Sequence, residues 1–321
     1  MRWGCWVVGA LAVLLCAAAG AEARLCGGAV PCTCGDTVAT EAVLGADLRD
    51  CRARGLRVVR GGSLDCAGHV VAGTGIGEGI VVDRGDGALV TRCVVADFAV
   101  GLRVRSGRDN RLIANEVLGS TRYGIELARS ARATLVRDNL VLDSGDEGVH
   151  VGTGASGTRI EDNQILGSRA ENVYLLAVEG VRVNRNVLGQ SGAAAIYVKH
   201  SSGNSFEDNL LEDRVVHLRG RSQANFFGGN TLVGAGFVLE AHEESLDAAR
   251  HPGWTAPFGN RIEGGSVAGA RTCFRFAGAR ANWVSDVMVD DCVVAREQER
   301  GGFVAADNVV QTRSHGAAGD L

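Results

Sequence analysis

Proline is almost absent from this chain, at 3 residues in 321, and aromatic residues are sparse at 5%. The first shortage suits strands that cannot lose backbone donors from a ladder. The second leaves Val, Ile, Leu and Ala to fill the interior. Charge is also short in excess: the net value is −4 and no basic block stands out, which argues against nucleic acid as a partner. No apolar run in the repeating part follows a helical period. A calcium-binding nonapeptide solenoid is excluded as well, because no GGxGxDxUx run occurs.

What is present is glycine, at 46 residues, and a repeat. Asn115, Asn139, Asn163, Asn186, Asn209 and Asn230 recur every 21 to 24 residues, each opening a short apolar run. An apolar residue stands three before each: Leu112, Val136, Ile160, Val183, Phe206 and Phe227. A third mark keeps the same beat: a small residue and then an alternating apolar pair, as in Gly101-Leu102-Arg103-Val104, Gly124-Ile125-Glu126-Leu127 and Gly148-Val149-His150-Val151. Three period-2 segments per unit describe a coil of strands. A leucine-rich repeat also carries an asparagine ladder, but needs a leucine frame and a helical segment closing each unit. Here the frame is Val/Ile with glycine, and the rest of each unit alternates like a strand. The fold class is therefore all-β, a parallel β-helix built as one single-stranded solenoid of about ten coils. Asparagine suits its bends because it tolerates left-handed backbone and its amide can bond to those above and below.

Residues 1–23 have the form of a secretory signal: Arg2, an apolar run from Trp6 to Ala19, then Ala21-Glu22-Ala23 as a cleavage site. The run is short and Ala-rich for a membrane span, so none is expected after cleavage. Bulky Leu15 before Cys16 argues against a lipoprotein. The mature chain keeps Cys26, Cys32, Cys34, Cys51, Cys66, Cys93, Cys273 and Cys292, an even set that favours disulfides in an exported protein. Cys32-Thr33-Cys34 has the form of a metal half-site but lacks a matching Cys/His cluster. Cys66 and Cys93 fall in comparable slots of successive coils, and Cys292 is placed to close back on Cys273. Residues 24–54 are expected to cap the first coil, 55–310 to form the solenoid with an insertion near 240–259, and 311–321 to be a disordered tail.

The repeat, with Cys26-Gly27-Gly28 through Cys34-Gly35-Asp36-Thr37 to Leu64-Asp65-Cys66-Ala67-Gly68-His69, resembles exported right-handed parallel β-helix proteins of the pectin-lyase-like superfamily, secreted bacterial type. The resemblance implies a right-handed coil, a secreted, periplasmic or cell-surface location, and a substrate groove floored by the first strand of each coil. Relatives include uronate lyases, mannuronan epimerases, glycoside hydrolases and members without known chemistry. The Asp-Pro-His-Glu signature of mannuronan epimerases is absent, the equivalent place reading Tyr123-Gly124-Ile125-Glu126. The WxDH run of calcium-dependent pectate lyases is also missing.

Side chains alternate along a strand and stack between coils, so the outward column can be read directly. It runs Arg57, Val81, Arg103, Glu126, His150, Tyr174, Tyr197, His217, Val238, Arg275. Glu78, Tyr123, Glu147 and Glu171 flank it on one side, and Arg105, Lys199, Arg219 and Glu240 on the other. The expected ligand is a polysaccharide, an acidic one in the lyase or epimerase case, lying along the axis of a monomer. For β-elimination or epimerisation, His150 or His217 would be the base and Tyr174 or Tyr197 the proton donor. Arg103, Arg105, Lys199 or Arg219 would then hold the charge. For hydrolysis, Glu126 with Glu147 or Glu171, and Asp146 nearby, would supply two carboxylates. Stacked Glu147 and Glu171 also offer ligands to Ca²⁺. Trp254, in the insertion, would stack on sugar or pack the loop down. The competing reading is a non-catalytic rod or glycan binder of the cell envelope, whose outward tyrosines are there as good strand residues.

Overall fold

A computed structural model describes residues 24–243, 254–297, 299, 300, 303, 304 and 307–314. The signal segment, half of the insertion and the last seven residues lie outside that range. Among the described residues one parallel sheet of 13 strands takes the first strand of each coil, and a second of 21 strands takes the other two. The stack has about 11 turns, slightly more than the repeat count suggests. The cysteine-rich segment itself supplies strands: Leu25–Cys26 pairs with Thr37–Val38, and that with Arg54–Val59. At the other end the strand Val309–Ser314 lies on Trp283–Asp290, so order continues past the expected start of the tail.

The core is a set of vertical columns. Leu56, Ile80, Leu102, Ile125, Val149, Val173, Ile196, Val216, Phe237 and Phe274 stack in register and are all essentially buried. Phe206 and Phe227, three before their asparagines, stack at 4.4 Å. Where glycine opens a first strand, as at Gly55, Gly79, Gly101, Gly124 and Gly148, the cause is steric. A Cβ on Gly124 would sit 2.4 Å from Val141 Cγ1 and 2.6 Å from the Gly148 carbonyl oxygen. The chain enters the first strand pressed against the third strand and the next coil, and only hydrogen fits there.

The asparagines form a buried ladder. Each accepts, through Oδ1, the backbone N–H and the Nδ2–H of the asparagine one coil earlier, from Asn115–Asn139 at 3.0 Å through to Asn209–Asn230. A second ladder, Asn204–Asn225–Asn260–Asn282–Asn308, runs straight across the insertion. One expectation is corrected: the left-handed residue at the first ladder's bends is the one before the asparagine. Asp138, Asp162, Arg185 and Asp208 have φ of 54–58°. Asparagine is there for its amide, and its predecessor absorbs the turn.

All eight described cysteines are in disulfides: Cys26–Cys32, Cys34–Cys51, Cys66–Cys93 and Cys273–Cys292. Cys66–Cys93 ties adjacent coils and Cys292 closes on Cys273, as their slots predict. Bonding of both Cys32 and Cys34 rules out the metal half-site.

Candidate active site on the first sheet

The outward column exists in the predicted register. Arg57, Val81, Arg103, Glu126, His150, Tyr174, Tyr197, His217, Val238 and Arg275 are successive cross-strand partners. Coil spacing near 4.8 Å is also a comfortable distance for stacked rings. His150 and Tyr174 stack at 5.3 Å, as do Tyr174 and Tyr197, and His217 meets Tyr197 edge-on at 4.9 Å. Tyr123, expected on the flank, joins the stack against His150 at 4.7 Å. Arg122 caps its outer face, with the guanidinium 4.3 Å above the ring and Nη2 donating to the phenol oxygen at 2.7 Å. The ring faces are thus used on one another, which leaves phenol oxygens and imidazole nitrogens at the ring edges. Such edges offer hydrogen bonds, while the stacked faces are already occupied.

Three stretches of the column differ in charge. At the first, Glu78 accepts from Arg103 Nη1 at 2.6 Å and from Arg105 Nη2 through both oxygens, while Arg103 Nε also lies 3.1 Å from Glu126. Burial pushes the Glu78 carboxyl up, but the two arginines outweigh it and hold it below the ordinary range. Arg103, Arg105 and Glu126 are therefore tied to one another.

The second stretch is acidic. Asp146, Glu147 and Glu171 gather beside His150, with Glu147 Oε1 3.6 Å from His150 Nδ1. Burial, then the charges of Glu147 and Asp146, push Glu171 up to about 7. Burial and Glu147 likewise raise Asp146. Glu171 in the folded protein holds its proton more tightly than in the unfolded chain. Its contribution to stability is therefore present below about 4.5 and lost as pH rises through about 7. Glu171→Gln is expected to flatten stability across that window and to be more stable than the parent above it. Denaturant midpoints measured on both sides of the window check this, and parallel pH curves for the two proteins would refute it.

The third stretch pairs cations with rings. Arg219 Nη1 donates to the Tyr197 phenol oxygen at 3.4 Å, and Lys199 and Arg219 are direct cross-strand partners. His217 Nε2 lies 3.0 Å from Glu240 Oε2. The carboxylate accepts, so the proton sits on Nε2 and Nδ1 keeps the lone pair. Burial lowers the His217 value against the opposing pull of Glu240, which favours neutral imidazole. Burial raises Tyr197 against Arg219, and raises Tyr174 with help from Tyr197. Beside this stretch the insertion begins as an antiparallel pair, His242–Glu243 with Trp254–Thr255. The Trp254 side chain and residues 244–253 lie outside the described set.

The predicted residues thus fall into separate groups. Tyr197, His217, Arg219 and Lys199 come together, and Glu147, Glu171 and His150 form a second group. Glu240, read from the sequence as a flank residue, turns out to hold His217. The signal was its place as cross-strand partner of Arg219, diagonal to His217. Among the described residues, no group of three or more His, Cys, Asp or Glu is arranged to hold a metal ion.

Residues 61–245 match the family of the periplasmic copper-binding protein NosD. The chain belongs to that family. No curated protein matches it. Among solved structures, a double mutant of the periplasmic alginate epimerase AlgG is 13% identical, with a TM-score of 0.53 over 87% of this chain and 74% of that one. The A-module of the Azotobacter vinelandii mannuronan C-5 epimerase AlgE6 is 14% identical, with a TM-score of 0.53 over 87% of this chain and 90% of that one. Tailspike protein 2 of Escherichia coli O157:H7 bacteriophage CAB120 is 11% identical, with a TM-score of 0.46. This chain covers 86% of its own length there and spans 42% of the tailspike. The epimerase likenesses establish the fold as a right-handed parallel β-helix. Membership of a periplasmic family, with four disulfides, puts the NosD-family chain outside the reducing cytosol. Among the described residues no helix is long and apolar enough to cross a membrane.

Proposed function

We propose that the first-sheet face binds a polysaccharide along the coil axis and abstracts a proton beside a uronate carboxylate, giving a lyase or C5-epimerase. The observation that carries this is the Arg219–Tyr197–His217–Glu240 group. Neutral His217, held by Glu240, supplies a lone pair at Nδ1 to take the proton. Arg219 and Lys199 neutralise the charge that develops on the carboxylate. The Tyr197 phenol, kept protonated by burial, returns a proton to the leaving oxygen or to the opposite face of the sugar. That two solved β-helices of similar fold are alginate or mannuronan epimerases is in keeping with this substrate class.

Among the described residues no donor cluster fits the copper of the family's description. Copper takes thiolate, thioether and imidazole donors. The described cysteines are all oxidised, and Met288 is the single described methionine. His150 and His217 are three coil steps apart with two tyrosines between, roughly 14 Å at the usual strand spacing.

A second reading rests on Glu171. A carboxyl titrating near neutrality beside the carboxylate of Glu147 is the pairing a glycoside hydrolase uses as acid and base. One assay separates the readings, using a panel of pectic, alginate and neutral polymers. Unsaturated uronate absorbing in the ultraviolet, or inverted C5 configuration by NMR, supports the first. New reducing ends without unsaturation support the second. Neither product with any polymer overturns catalysis and leaves a binding protein or rod.

A further inference from the structure

At the N-terminal end of the same sheet lies a hollow of about 480 Å³, lined by Leu25, Thr37, Ala39, Arg57, Val59, Arg60, Asp83 and Arg84. Its origin is legible in the register. Leu25, Thr37 and Arg57 succeed one another in the outward column, and Val59 faces Asp83 in the next. The floor is made of short side chains, Thr37, Ala39 and Val59, while the bends that follow the strands carry Arg60 and Arg84. The Arg60 N–H donates to the Arg84 carbonyl, which locks the two bends together.

The hollow holds donors in excess of acceptors. Its one carboxylate, Asp83, is already engaged by Arg57 Nη2 at 2.6 Å and by the Ser106 hydroxyl at 3.1 Å. Thr37 is 6% exposed and its hydroxyl has no hydrogen-bond partner, and Arg57 Nε is likewise buried without an acceptor. Among the described residues no carboxylate pairs with Arg60 or Arg84, both of which are exposed on the rim. Three arginines and a buried hydroxyl thus line one space with a single, neutralised acid. Guanidinium groups bind oxoanions through paired N–H bonds, and the volume lies in the range that takes a small molecule.

We propose that this hollow is a binding site for an oxoanion (carboxylate, sulfate or phosphate) carried on a sugar-sized molecule. It stands apart from the proton-transfer group: Arg57 is four coil steps from His150 and seven from His217. Thr37, Arg57 and Arg60 also precede the segment shared with the family. The site neither requires nor tests the reading of the column.

Isothermal titration of the full exported chain with glucuronate, glucose 6-phosphate, inorganic sulfate and neutral glucose tests it. The anionic sugars are expected to bind, weakening with added salt, while glucose does not. Glucuronate against glucose 6-phosphate reports which oxoanion is preferred. Binding of sulfate as tightly as either sugar would show that a free ion suffices and would overturn the sugar-sized ligand. Arg60→Gln with Arg84→Gln should lower anionic-sugar affinity about tenfold or more, and Thr37→Val should lower it with all charges kept. No binding of any anion, equal binding of glucose, or unchanged affinity in the double variant overturns the proposal. The arginines are exposed, so the double variant is expected to fold, and an unchanged melting curve verifies it.

Discussion

Asn163→Ala is expected to be the most destabilising single substitution in the middle of the stack, by about 3–5 kcal/mol. The side chain takes part in five hydrogen bonds. Oδ1 accepts from Asn139 N and Nδ2, and Nδ2 donates to Val136 O, Glu161 O and Asn186 Oδ1. Alanine leaves the Asn139 backbone N–H buried with no acceptor and takes one of three acceptors from Asn139 Nδ2, and water cannot reach a residue that is 1% exposed. In a solenoid each coil touches only its neighbours, so the damage divides the stack and the unfolding transition should broaden as it moves down. Thermal melts should fall by roughly 5–10 °C. A loss below about 1 kcal/mol would mean that the ladder contributes little beyond the strand pairing around it.

The largest effect on chemistry is expected from Tyr197→Phe. The ring, its stack on Tyr174 and its edge contact with His217 all survive, and one oxygen is lost. If that oxygen is the proton donor, kcat should fall about 10²–10⁴-fold while KM changes little. Tyr174→Phe, one coil away, removes an oxygen outside the Arg219 contact and serves as the control. His217→Ala should be at least as damaging. In the parent, the acidic limb of the rate profile should lie below the ordinary histidine value of 6.5, because burial lowers His217. Activity of Tyr197→Phe within threefold of the parent, with Tyr174→Phe equally mild, would remove the phenol from the mechanism.

The column itself was legible because period-2 alternation and a steady repeat length leave one way to stack the coils. Once Ile125 lies under Val149, Glu126 must lie under His150. Cys66–Cys93 and Cys273–Cys292 followed from the same logic, since residues in one slot of successive coils are neighbours, whereas the pairing within the cysteine-rich segment did not. The asparagine ladder was legible, but the conformation of its bends was not. Propensity favours asparagine for the left-handed site, and the structure gives that site to the alanine, aspartate, arginine or glycine before it, freeing the amide for the ladder.

Grouping within the site was beyond the sequence. Arg103, Arg105 and Glu126 carry suitable chemistry, yet the register that lines them up also sets them beside Glu78, and they neutralise one another. The side-chain directions that bring Tyr123 onto His150 and Glu240 onto His217 depend on rotamers, which a repeat pattern does not encode.

Local periodicity by itself settled the coil, its core columns and which residues face outward, because stacking turns one-dimensional spacing into neighbourhood. The tertiary structure decided which of those outward charges cancel, which rings shield each other and where a hollow is left, because these depend on burial and on the reach of long side chains across coils.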